Sequence, residues 1–63
     1  MNTRTQKIIL AAGYRIWRLD LTRNQIRYCK STGGWGVFRT FETQTATKRA
    51  FDELLKDEKH LED

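Results

Sequence analysis

Sixty-three residues with a net charge of +4 and 32% charged side chains make one small domain. A chain this short buries only about 60% of the surface its unfolded form exposes. It leaves little room for a walled pocket of roughly 300 Å³ or more, which counts against catalysis. A single cysteine, Cys29, excludes an internal disulfide and favours a reducing, cytoplasmic setting.

The segment Met1–Gln6 is polar and without periodicity, so it is expected to fray, as are residues 60–63 at the other end. The longest apolar run, Ile8–Ala12, has five residues. A signal-peptide core needs roughly 7–15 and a membrane span about 20, so neither is expected. Lys7–Ala12 reads as a short buried strand, or as the start of a longer strand bent at Gly13.

Tyr14–Leu21 alternates, with Trp17, Leu19 and Leu21 on one side and Arg18 and Asp20 on the other. Thr22–Asn24 supplies a turn, because Asn tolerates the left-handed conformation. Gln25–Ser31 alternates again, with Ile26 and Tyr28 on one face and Arg27 and Cys29 on the other. The glycines of Thr32–Gly34 supply the next turn, and Trp35–Phe41 is the third strand. Short connections imply antiparallel neighbours, hence a meander.

An amphipathic helix follows, from Thr45 to about Lys59. Ala46, Ala50, Phe51, Leu54 and Leu55 recur on one of its faces. Thr43 or Thr45 supplies its N-cap, and Asp52 and Lys56 are spaced for an i,i+4 ion pair. The expected fold class is therefore α+β. A three-stranded antiparallel meander, with residues 7–12 as a possible extra N-terminal strand, packs against one C-terminal helix. The expected core is Trp17, Leu19, Ile26, Tyr28, Phe38, Phe51, Leu54 and Leu55.

Charge is segregated along the chain. Residues 1–40 hold eight basic side chains against Asp20 alone, a balance of +7, whereas residues 41–63 stand at −3. Such segregation steers polyanions, and equally serves solubility and pairing between sheet and helix. With the core face turned to the helix, alternation sends Tyr14, Ile16, Arg18, Arg27, Trp35, Val37 and Arg39 to the opposite face. There Arg18, Arg27 and Arg39 are candidates to hold phosphates or guanine edges through their planar forks. Tyr14 and Trp35 are candidates to stack on or wedge between bases. Arg15, Arg23 and Lys30 would add long-range attraction.

These residues define a non-enzymatic nucleic-acid-binding module as the leading expectation. The alternative is a protein-interaction or homodimerisation module using Ile16, Trp35 and Val37 of the same face. A third possibility is that the N-terminal segment covers that face.

In element order the chain resembles the small sheet-reading DNA-binding domains of some integrases and plant transcription factors. The resemblance carries no residue motif, so it implies a fold and no site. Gly33-Gly34-Trp35-Gly36 lies between two strands, where a hairpin turn is expected. A phosphate loop would stand between a strand and a helix. Gly36 is the place for a bulge or a close backbone approach.

Cys29 and His60 lack the partners a zinc site or a Cys–His nucleophile requires. They read as a half-buried small side chain and a solvated one. The carboxylates Asp52, Glu53, Asp57, Glu58, Glu62 and Asp63 are interspersed with Lys48, Arg49, Lys56 and Lys59 and read as a solvated helix face. No metal, cofactor or membrane partner is expected.

Overall fold

The structure is a computed structural model describing residues 1–63. Its elements run α1 (Thr3–Ala11), β1 (Arg15–Asp20), β2 (Gln25–Cys29), β3 (Trp35–Thr40), α2 (Gln44–Leu54) and β4 (His60–Glu62). The sheet has the order β3-β2-β1-β4. The first three strands form the expected antiparallel meander, and β4 adds to β1 in parallel.

The turns follow the local chemistry. Asn24 takes φ 52°, and Gly33 and Gly34 take φ 101° and 81°, values that Asn and glycine accept at low cost. Thr43, not Thr45, caps α2, its hydroxyl accepting from the Ala46 N–H at 3.1 Å. Lys48 takes Asp52 at 2.6 Å, and Lys56 turns back to Glu53 at 2.8 Å. The pairing of Asp52 with Lys56 is thereby corrected, since i,i+3 and i,i+4 partners compete on one helix surface.

Both chain ends depart from the sequence reading. Residues 3–11 form a helix, not a strand. The Asn2 side chain caps it by accepting from the Thr5 N–H at 2.8 Å. Gln6, Ile9 and Leu10 are half-buried at helical spacing while Ile8 stays 64% exposed. Three inward positions in nine residues are too few to separate helix from strand by pattern alone.

At the other end α2 stops at Leu54, one turn short of the expected Lys59. Its last amides tighten into i,i+3 bonds, Lys56 to Glu53 and Asp57 to Leu54. Asp57 then accepts from the Lys59 N–H through its side chain, and from the His60 N–H through its carbonyl, both at 2.9 Å. The chain reverses there and enters β4.

The core lies between α2 and one face of the sheet. Trp17, Ile26 and Phe51 are its buried centre, with Leu19, Phe41, Ala50, Leu54 and Leu55 packed around them. Thr47 is fully buried too, its hydroxyl donating to the Thr43 carbonyl at 2.7 Å. Tyr28 and Phe38, expected in this core, are 36% and 50% exposed. They lie on the expected side, but an 11-residue helix of about 16 Å covers only the Trp17–Ile26 half of the sheet.

On the opposite face Ile16 and Cys29 are 1% and 8% exposed, and α1 packs against β1. That face is therefore covered in part from within the chain.

Candidate functional site

The β1–β2 register sets Arg18 opposite Arg27. Two cations facing each other across a strand pair repel, and here each is relieved. Arg18 donates to Asp63 at 2.5 Å and its guanidinium lies 4.0 Å from the centre of the Trp35 ring. Asp63 also accepts from the Met1 amino group at 3.2 Å. Arg27 has Asp20 at 3.9 Å, and Asp20 binds Arg23 at 3.2 Å.

The Arg18 hydrogen bond is the main cause holding Asp63 below the ordinary carboxylate value. For Asp20, burial works upward, but bonds from Arg23 and the Thr22 N–H bring the net shift downward. Burial pushes the Cys29 thiol up. The face opposite α2 thus carries arginines already engaged with carboxylates.

Asp63 gives this arrangement a pH signature. Its folded-state pKa is depressed, so its contribution is complete above an unfolded value near 3.8 and is lost as pH falls through the folded value. Stability by urea unfolding is expected to fall between about pH 5 and pH 2, and Asp63→Asn should flatten part of that fall. An unchanged acid limb in the variant would show that the Arg18–Asp63 pair contributes nothing.

Arg39 is absent from the face where alternation placed it. Ile26 pairs with Arg39 but Arg27 pairs with Val37, so β3 carries one extra residue, Phe38, in a β-bulge. The bulge resets alternation and turns Arg39 to the α2 side. There it lies 5.0 Å from the centre of the Phe41 ring and beside Phe38, Leu54 and Glu53.

A second group of cations stands at the other end of β1. Beyond the last β1–β2 pair, Trp17 with Tyr28, Arg15 and Lys30 meet at one cleft. Both are exposed and line this cleft of about 460 Å³ with Tyr14, Tyr28, Ser31 and Thr32. The cleft lies between the α1–β1 connection and the β2–β3 hairpin. Lys59, just before β4, lies over one of the lining rings, its ammonium 4.6 Å from the centre of the Tyr14 ring. No carboxylate lies within ion-pair distance of Arg15, Lys30 or Lys59.

Of the candidate residues, then, Tyr14, Arg15 and Lys30 are brought together at one end of the sheet. Arg18, Arg27 and Trp35 share the opposite face, Arg23 sits in the β1–β2 turn, and Arg39 stands apart.

Tyr28, Lys59 and His60 were missed as members of this region. Tyr28 was assigned to the core by alternation. Its ring rests on Gly36, where an added Cβ would lie 2.7 Å from ring atoms, the close approach foreseen at that glycine. His60 is held, not solvated. Its Nδ1–H donates to the Leu54 carbonyl at 2.9 Å, and its ring meets Trp17 edge-on at 5.3 Å. Only the reversal at Asp57 places it there, and no sequence signal announced that turn.

No helix is long and apolar enough to cross a membrane. Comparison with protein-family models, curated proteins and solved structures finds no match to the chain.

Proposed function

We propose that the chain is a small non-enzymatic nucleic-acid-binding module whose contact surface is the Arg15–Lys30 end of the sheet. The carrying observation is the contrast between two cation pairs. Arg18 is paired with Asp63, and Arg27 has Asp20, shared with Arg23, at 3.9 Å, whereas Arg15 and Lys30 line one cleft without a counter-charge. Cations that share a cleft and lack a carboxylate partner are available to an anion, and a phosphate there can accept charge-assisted bonds from both. Tyr14 and Tyr28 supply flat surfaces beside it. The uneven charge of the chain, concentrated before residue 41, adds long-range attraction.

The test is fluorescence anisotropy of a labelled mixed-sequence oligonucleotide over a salt series. The double substitution Arg15→Ala/Lys30→Ala is expected to weaken binding tenfold or more and to lower the logarithmic salt slope by about 1.5–2. Arg18→Ala should leave both near the parent values, since that side chain is engaged within the chain. No salt-dependent binding by the parent protein, or equal losses in both variants, would overturn the reading.

One observation supports a second reading, self-association. β3 is an open edge strand with Val37 and Phe38 47% and 50% exposed, and such edges pair with other strands. Sedimentation equilibrium decides it. A mass that doubles with concentration and persists at high salt would favour the dimer.

A further inference from the structure

We infer that the chain takes single-stranded nucleic acid, with one unpaired base seated in the aromatic cleft beside the Arg15–Lys30 pair. The inference rests on the nucleic-acid reading above. It starts from a second cleft, of about 350 Å³, walled by Trp17, Tyr28, Phe38 and His60 with Arg15 at its edge. Its volume falls within the roughly 300–1,000 Å³ typical of small-ligand sites. The two clefts share Arg15, Tyr28 and Cys29, so a chain of alternating phosphate and base can occupy both at once.

The walls are aromatic and fixed from behind. Phe38 meets Trp17 edge-on at 4.8 Å, and half of its own surface stays exposed. Tyr28 rests on the bare Gly36 backbone, which sets its ring at the junction of the clefts. His60 is fixed through Nδ1 to the end of α2, and its Nε2 has the Asp57 carboxylate at 3.7 Å.

This aromatic surface is uncovered because α2 ends at Leu54 and the bulge at Phe38 presents an extra ring. Flat rings favour a flat partner, and the neighbouring unpaired cations favour an anionic one. A base in a duplex is stacked and paired on both sides. A base in a single strand presents its face freely.

Three labelled probes of equal length decide the matter at one low salt concentration: an oligothymidine, an abasic oligonucleotide, and a duplex containing the same strand. The oligothymidine is expected to bind about 5- to 150-fold more tightly than the abasic probe, and more tightly than the duplex. Phe38→Ala should bring the oligothymidine to the abasic level without changing abasic binding. Phe38→Leu keeps an apolar contact on Trp17, guards against simple misfolding, and should show most of the same loss.

Equal binding of the oligothymidine and abasic probes would overturn the base site while leaving the cationic end standing. Equal or tighter duplex binding would overturn single-strand selection. Failure of all three probes to bind would overturn the nucleic-acid reading and this inference with it.

Discussion

Phe51→Ala is expected to unfold the domain at room temperature. Phe51 is 1% exposed and, with Trp17 and Ile26, forms the buried cluster that joins α2 to the sheet. Truncating a buried phenylalanine costs about 3–5 kcal/mol, because apolar transfer is lost and a cavity remains. A domain of 63 residues holds roughly 3–9 kcal/mol in total, from about 0.05–0.15 kcal/mol per residue. The loss therefore takes from about a third to all of the stability, and all of it toward the lower end of that range. Circular dichroism should show no cooperative thermal transition, while Phe51→Leu should retain one at lower temperature. A cooperative melt in the alanine variant, shifted by only a few degrees, would mean that α2 is held by something other than this contact.

The second large effect is expected at Ile16. On the sequence reading this side chain sits on the face offered to nucleic acid or a partner, where a lysine would be tolerated or would help. In the structure it is 1% exposed, on the strand that α1 packs against. Ile16→Lys forces a charge into that layer, and the chain must bury it, displace α1 or unfold. A loss above about 3 kcal/mol is expected, with urea unfolding as the measurement and Ile16→Val as the mild control at about 0.5–1.5 kcal/mol. Cys29 lies in the same layer at 8% exposure, so its reaction with a thiol reagent should quicken sharply in the lysine variant. If Ile16→Lys were as stable as the parent and Cys29 stayed protected, α1 would not be the cover of that face.

Four features of the molecule were legible in the residues because they rest on local chemistry. The three strands of the meander alternate with period two, and Asn24, Gly33 and Gly34 supply the backbone conformations their turns demand. The apolar stripe through Phe51 marked the existence of α2, and two threonines marked its start, of which the structure uses Thr43 as the cap. Gly36 marked a close approach, and the Tyr28 ring lies on it. The +7 balance of residues 1–40 located the positive charge along the chain.

The candidate site was only half legible. Tyr14, Arg15 and Lys30 could be named from their type, but the register could not be counted from the Thr22–Asn24 turn, since the structure pairs Asp20, not Leu21, with Gln25. Nor could compensation be counted. Arg18 is quieted by Asp63, 45 residues away, and nothing local to either residue signals that pair. Alternation also failed at one residue, since the bulge at Phe38 inverts every assignment beyond it.

By itself, then, the sequence determined the meander, the helix that packs on it, their turns and the unequal charge of the two parts. Each follows from propensity and periodicity within a short window. Tertiary structure alone decided that residues 3–11 coil into a helix over the second face, that β4 closes the sheet in parallel, and which arginines are neutralised. Those outcomes depend on contacts between segments far apart in the chain, and the free energy of such contacts leaves no periodic trace in either segment.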